Sequence, residues 1–419
     1  MKLSIQLSVL STLNLLVLFL FQWYILTYIG PTPETDALFA GMTIPQLVLT
    51  VISGSLMHVL VPILSGESAE RIHHDTWAFL ILVAIFFGII AITLYIAAPW
   101  WVPLTVPGFD KIGQELTVKL TRIQLIGMIF TAINGVQWAS YHSRQQFLWA
   151  EFTPILANSI SLLLLILALP HFGVVAAAWL STLQLVLQAL LLAPGLGNPI
   201  YPDFKNRSII LAWRSIKPLL LGTAYYKTDP VVDRYLLSMN PSGSLSLYYL
   251  AQQLYGAVSQ ILNKAIIAPL VPKLSIKYKK KDKVGFQLIY YRKLLQVGII
   301  SFGGLLILGL FGQNLLYLLV GHGRVSIGNI EQLWWIMIWL GGMFIGGTMG
   351  QITSSAFYSI GDTKTTTQIS IISYTAYIPC KVLAFYFLGI AGLCLTTTIY
   401  FITNLSFQLY IFKKKWLIT

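Results

Sequence analysis

Apolar residues run along this chain in blocks of about twenty or more, separated by short polar or Pro/Gly-containing turns. Each block is long enough to cross a bilayer core of about 30 Å as a helix. The blocks are Ser4–Ile29, Asp36–Leu64, Trp77–Trp100, Val118–Tyr141, Phe147–Leu169, Gly173–Leu196, Ile209–Leu237, Leu245–Val271, Leu294–Val320, Leu333–Tyr358, Gln368–Leu388 and Ile390–Phe412. They predict an all-α polytopic membrane protein with about 12 transmembrane helices. The first block starts three residues in and lacks a small-residue cleavage site, so it is expected to be a retained helix and not a signal peptide.

The pattern repeats at mid-chain. Leu60-Val61-Pro62-Ile63-Leu64-Ser65 closes the second block, and Leu270-Val271-Pro272-Lys273-Leu274-Ser275 closes the eighth. A weaker echo pairs Tyr141-His142-Ser143-Arg144 with Tyr358-Ser359-Ile360-Gly361. An even number of helices separates equivalents, so the halves are parallel repeats: a lobe over 1–200 and a second over 201–419, each of six helices. Transporters built this way bind substrate between their halves and rock one against the other.

Orientation follows from the loops. With the N-terminus inside, nineteen Lys and Arg fall on the inner side, from Lys2, Arg71 and Arg144 to the basic loop 273–293 and Lys413–Lys415. Lys111 and Arg324 alone fall outside. That asymmetry puts both termini in the cytoplasm. It also explains most of the net charge of +13 on 419 residues. No stripe of cations alternates with stacking aromatics, so nucleic acid is not an expected partner. The cluster Lys273–Lys293 is expected to be a topological anchor and the linker between the halves, or a patch that attracts anionic headgroups or a pyrophosphate-bearing lipid at the cytoplasmic face, and the two readings are compatible. With only 10% charged residues and a mean hydropathy of +0.75, a soluble globular protein is excluded. Cys380 and Cys394 both lie in apolar runs and are expected to be buried free thiols.

Charges that persist inside apolar blocks are costly and mark candidate sites. The seventh block is richest, with Lys227, Asp229, Asp233 and Arg234 around Pro230. Asp229 and Asp233 share one helix face, and two carboxylates there invite a cation or a proton. Pro230 opens the helix beside them, a way to build a Na⁺ or H⁺ coupling site. The alternative is an internal salt-bridge cluster of Lys227, Asp233 and Arg234. Lys381 could substitute its ammonium for the ion. Lys119 and Arg122, at the outer entrance of the fourth block, are either snorkelling interfacial residues or cations that meet a phosphate, and Lys264 faces the same choice. Asp36 opens the second block as an acid matched to the helix dipole. His58 is expected to be a hydrogen-bonded core histidine, and Glu151 an interfacial partner for Arg144. Gly341-Gly342 and Gly346-Gly347 allow a bend or close helix approach.

Enzymatic chemistry has little to stand on. The chain carries no nucleophile motif, no Cys/His metal spacing and no Gly-rich phosphate loop. His73-His74-Asp75 is expected to be solvated. A transporter is expected, with no cofactor or bound metal beyond a coupling ion.

Several stretches, in order, resemble the lipid II flippase (MurJ/MviN) family of the multidrug/oligosaccharidyl-lipid/polysaccharide exporter superfamily. They are Glu34-Thr35-Asp36-Ala37 with Ile44-Pro45, Gly54, Val61-Pro62, Val106-Pro107-Gly108-Phe109, and Phe152-Thr153-Pro154-Ile155-Leu156-Ala157-Asn158. Further on come Val232-Asp233-Arg234, Gly243-Ser244-Leu245-Ser246-Leu247-Tyr248-Tyr249, Pro272-Lys273-Leu274-Ser275, Gly361-Asp362-Thr363-Lys364-Thr365 and Leu388-Gly389-Ile390-Ala391-Gly392. The resemblance implies two pseudo-symmetric six-helix lobes around a central cavity in a bacterial cytoplasmic membrane. It implies a monomer that moves a polyprenyl-pyrophosphate-linked saccharide from the inner to the outer leaflet by alternating access, the headgroup entering among helices 1, 2, 7 and 8.

This chain departs from the family's pattern at its cavity arginines. Thr27 stands where one is expected, the stretch Val48–Thr50 replaces others, and Gln252-Gln253 replaces an Asp-Arg pair. The family has fourteen helices against the twelve counted here. Lys119, Arg122, Lys227, Arg234, Lys264 and Lys381 are the remaining cations for a pyrophosphate, with Thr27, Asp36, Gln252 and Gln253 as polar cavity residues. The carried unit is lipid II for peptidoglycan, or an exopolysaccharide or O-antigen repeat. Two other functions compete: an ion-coupled drug or cation antiporter of the same superfamily, and a non-transporting scaffold that recruits a glycosyltransferase or polymerase.

Overall fold

In the computed structural model, residues 2–65, 68–202, 208–212, 225–267 and 269–417 are described, with the side chains of 2–5, 49–58, 226, 416 and 417 left aside. The chain is all-α, and among the described residues there is no strand. Its helices are α1 Lys2–Ile29, α2 Pro33–Leu64, α3 Ala69–Thr105, α4 Lys111–Ser143, α5 Phe147–Leu192, α6 Asp229–Leu237, α7 Ser244–Leu262, α8 Leu270–Lys279, α9 Lys283–Val320, α10 Ile327–Trp339, α11 Gly341–Ser359 and α12 Thr363–Phe412. Eleven of the twelve apolar blocks coincide with helices or arms of helices. Of the seventh, residues 213–224 lie outside the described residues, and its last nine form α6.

Two helices each contain two spans. α5 turns at Gly173 (φ 56°, ψ −143°) and α12 at Gly389 (φ 58°, ψ −139°), a region that essentially only glycine occupies. Both are hairpins. In α5 the Trp149 indole N–H donates to the Leu191 carbonyl at 3.2 Å, 42 residues away. In α12 the Lys415 ammonium, just past the helix end, donates to the Thr365 hydroxyl at 3.0 Å.

The same register links the turns that precede these hairpins. Gln145 (φ 60°) and Gly361 (φ 81°) are both left-handed. The N–H of Gln146 reaches back to the Tyr141 carbonyl at 2.9 Å, as that of Asp362 does to the Phe357 carbonyl at 3.0 Å. Both turns are Schellman motifs, and they equate Tyr141 with Phe357, one residue off the echo visible in the sequence.

By internal packing the chain divides into Met1–Leu245 and Ser246–Thr419. In the first unit α4 is the hub. One face meets α2 and α3 through Leu60, Leu64, Phe79, Phe87, Leu125, Met128 and Val136, and another meets α1, α2 and α5 through Phe21, Leu38, Leu120, Leu165, Val174 and Ala177. A polar seam joins α4 to the second arm of α5. The Asn134 amide donates to the Leu185 carbonyl, that of Gln137 to Ala189 and the Tyr141 hydroxyl to Leu192. Such seams hold helices together where lipid offers no hydrophobic drive.

In the second unit α11 is the hub, packed chiefly on α12 and α9. A Cβ at Gly346 would lie 2.8 Å from the Phe401 carbonyl oxygen, so the small residues there permit close approach. α10 and α11 meet at Leu340 with a bend of 41°, beside the expected glycine pair. Phe286, Tyr290, Phe357 and Phe412 close the unit's basic end.

The stretch 273–293 is not a loop. α8 continues to Lys279 and α9 begins at Lys283, with Lys277 bonded to Asp282 at 2.6 Å across the turn. The Leu-Val-Pro motif therefore closes α2 but opens α8. At 38 residues α9 is about 57 Å long, well beyond the membrane core, and carries its basic end out of it.

Candidate functional site

Five helical residues on one face of α4, Lys111, Glu115, Lys119, Arg122 and Ile126, line a groove of about 730 Å³ together with Gln114. Its other walls are Tyr95, Pro99 and Pro103 on α3 and Trp179 on the second arm of α5. The sequence around Arg122 fixes its pose. Pro99 has no N–H, so the carbonyl of Tyr95, four residues earlier, is left without its helical partner. The Arg122 Nε–H fills that gap at 3.1 Å, and its guanidinium lies 4.8 Å over the Tyr95 ring. Lys119, three residues away, is exposed. Sequence reasoning paired Lys119 with Arg122 but missed Tyr95 and Pro99; the proline was the available signal.

The seventh-block charges sit at a helix start. A 3-10 turn, Tyr226–Thr228, leads into α6, with Pro230 in its first turn. The break expected at Pro230 is where the helix begins. Asp233 (0% exposed) and Arg234 (5%) are buried, while Lys227 and Asp229 are half-buried. α6 packs on α2 and α3.

Asp36 has a firmer role than a dipole acid. Its carboxylate, 3% exposed, accepts from the Gly243 N–H at 2.6 Å. Gly243 has φ +89°, and a Cβ there would lie 2.6 Å from the Pro31 carbonyl oxygen. Nearby, the Gly108 N–H donates to the Ser238 hydroxyl at 3.2 Å. The motifs around Asp36, Gly108 and Gly243 thus form one junction inside the first unit, where the turn between α6 and α7 meets the starts of α2 and α4. The turn before α2 is fixed by a capping box, Thr32 with Thr35. Thr27 donates to the Trp23 carbonyl of its own helix at 2.8 Å.

In the second unit Lys381 is fully enclosed, its ammonium 4.8 Å from the Tyr377 ring centroid. Tyr377 stacks on Tyr400 at 4.5 Å and bonds Thr397 at 2.8 Å. Lys264 is exposed, in a π-helical turn, Asn263–Ile267. The Gln252 amide donates to the Tyr248 hydroxyl at 3.1 Å, and Gln253 is half-buried. The six cations therefore divide, four in the first unit and two in the second.

Three expectations change. Glu151 does not pair with Arg144: it accepts from Ser11 at 3.0 Å, while Arg144 donates to the Gly195 carbonyl at 2.8 Å. Asp75 is not solvated; it is buried and accepts from Ser208 at 2.7 Å. His73, beside it, bonds the Asn198 carbonyl at 2.9 Å. Of the two free thiols Cys394 is buried but Cys380 is exposed. The side chains of Leu49, Thr50 and His58 lie outside the described residues. Among the described residues no three His, Cys, Asp or Glu side chains gather as a metal site.

Two helical units, each with a hub helix and a glycine-cornered hairpin, define a two-lobed membrane transporter fold. Solved structures share it: a lipid II flippase MurJ in an inward closed conformation superposes with TM-score 0.83 at 17% identity, over 98% of this chain and 87% of that one. An inward-facing multidrug resistance MATE family transporter of the MOP superfamily does so with TM-score 0.80 at 15% identity, over 98% and 95%.

The chain belongs to the lipid II flippase MurJ family, whose model matches residues 25–419. It is 23% identical over 384 residues to a probable lipid II flippase MurJ of Buchnera aphidicola, covering 87% of this chain and 74% of that protein. To the one from Bdellovibrio bacteriovorus it is 22% identical over 424 residues, covering 96% and 80%.

Proposed function

We propose that this chain is a flippase that carries a polyprenyl-pyrophosphate-linked saccharide from the inner to the outer leaflet of a bacterial cytoplasmic membrane, with both termini in the cytoplasm. The observation that carries this is the family match over nearly the whole chain. The headgroup enters among spans 1, 2, 7 and 8 and the lobes rock while the lipid tail stays in the bilayer. Its phosphates meet intramembrane cations, Lys227 and Arg234 of the first unit among them, since an anion crossing low-dielectric surroundings needs cations beside it. Asp36 and Thr27 are tied to backbone and shape the path; Gln252 and Gln253 supply neutral polar contacts. Asp229 and Asp233 are the place for a coupling Na⁺ or H⁺.

The antiporter alternative draws support from the MATE-like fold and from those two acids. Reconstitution separates the readings. Vesicles holding the purified protein and a fluorescent polyprenyl-pyrophosphate saccharide should expose the label to an impermeant quencher with time, and R234Q should slow this about tenfold or more. Gradient-driven movement of a cationic dye with no lipid movement would replace the flippase with the antiporter. Neither activity would favour a scaffold that recruits a glycosyltransferase or polymerase. Neighbouring polymerase and glycosyltransferase genes would indicate an exopolysaccharide or O-antigen unit, and cell-wall genes lipid II.

A further inference from the structure

The groove between α3, α4 and the second arm of α5 takes no lining residue from spans 1, 2, 7 or 8, so it lies off the proposed substrate path and needs an occupant of its own. Its chemistry is graded along one face of α4. Lys111, Lys119 and Arg122 stand against a single acid, Glu115; Trp179 flanks them from α5, and one turn below Arg122 the α4 face becomes apolar at Ile126.

Depth matches that gradient. α4 has 33 residues and is about 50 Å long. Centred on a core of about 30 Å, it overhangs by about 10 Å at each end. Lys119 then lies at the core boundary and Arg122 one turn beneath it, where lipid phosphates sit within reach of a long side chain. Tyr95 and Trp179 are aromatics of the kind that favour this level.

Arg122 is also preorganised. Its Nε is held by the carbonyl that Pro99 leaves unpaired, and its ring contact fixes the guanidinium plane. The two Nη groups make no hydrogen bond or ion pair with a described residue, so the bidentate edge that suits a phosphate is presented to the groove.

We propose that this groove binds one anionic glycerophospholipid of the surrounding leaflet, its phosphodiester on Arg122 and Lys119 and an acyl chain over Ile126 and Trp179. A phosphatidylglycerol-type head fits the lining: its phosphodiester meets the net positive charge of three cations against one acid, and Gln114 and Glu115 can accept from its hydroxyls.

The test is native mass spectrometry of the full chain in a neutral detergent, titrated with phosphatidylglycerol. The wild type should bind one lipid well ahead of any further ones, with phosphatidylcholine at least about tenfold weaker. R122Q should weaken that first event about tenfold, the loss of a charge-assisted pair, and R122K several-fold, whereas R324Q removes a charge elsewhere and should change nothing. P99A gives residue 99 an N–H for the Tyr95 carbonyl and releases Arg122; it should weaken binding several-fold without lowering the unfolding temperature, which separates loss of the site from loss of the fold. Equal first binding by R122Q and wild type would overturn the proposal. So would full competition by inorganic phosphate, which marks a free-anion site, or preferential displacement by a polyprenyl-pyrophosphate saccharide, which returns the groove to the substrate path.

Discussion

Replacing Gly243 by alanine strikes the junction beneath α7 in two ways. At φ +89° an L side chain costs about 1–2 kcal/mol. The added Cβ would also lie 2.6 Å from the Pro31 carbonyl oxygen, so backbone has to move. That movement loosens the 2.6 Å bond from the Gly243 N–H to the buried Asp36 carboxylate, and a bond to a charged group contributes about 1.5–3 kcal/mol. If half of that is lost, the total is about 2–4 kcal/mol. The first unit has 245 residues, and a domain of that size shifts by about 2–4 °C per kcal/mol, so the unfolding temperature in detergent should fall by roughly 4–16 °C at a fixed scan rate. D36A should fall comparably, by leaving the Gly243 N–H buried without an acceptor. The two act through one contact, so the double variant should fall short of their sum. A G243A protein within 1 °C of wild type, or a double variant that is fully additive, would refute this account of the junction.

Three further outcomes follow. Burial alone would push the Asp362 carboxyl up, but the Thr365 N–H and hydroxyl and the Lys415 ammonium outweigh it and hold it below its ordinary 3.8. A depressed folded value stabilises above the unfolded one and is lost as pH falls through the folded one, so D362N should unfold at lower temperature than wild type at pH 6, with the gap closing below about pH 4. A membrane-permeant maleimide should label Cys380, which is exposed, and leave Cys394 unlabelled until the protein is denatured; equal labelling rates would contradict the packing of α12. G173A and G389A should each destabilise by about 1–3 kcal/mol and by similar amounts, because both corners have the same dihedrals; thermal unfolding of the two variants measures this.

The spans were legible because a bilayer demands length, and the hairpin corners fall at glycines that already separate apolar blocks. Facing was not legible. In a membrane the outward side of a helix is as apolar as the inward side, so periodicity cannot rank Cys380 against Cys394. Partners at long range were not legible either. Glu151 and Arg144 are seven residues apart and opposite in sign, yet Ser11 and the Gly195 carbonyl claim them, because the packing of α1 on α5 decides reach. Motifs that carry the family resemblance proved largely architectural: Asp362 is the N-cap of α12 and Asp36 holds the start of α7. Arg122 was visible as a charge but not as a posed one, since its partner carbonyl is freed by a proline on another helix.

The corners at Gly173 and Gly389 leave no slack between the spans they join. A reporter or affinity tag spliced into either corner would have to be accommodated inside a continuous hairpin whose arms are already bonded to each other. Length variation among relatives is therefore expected to collect at other turns, and the corner positions can serve as fixed landmarks when distant sequences of this family are aligned.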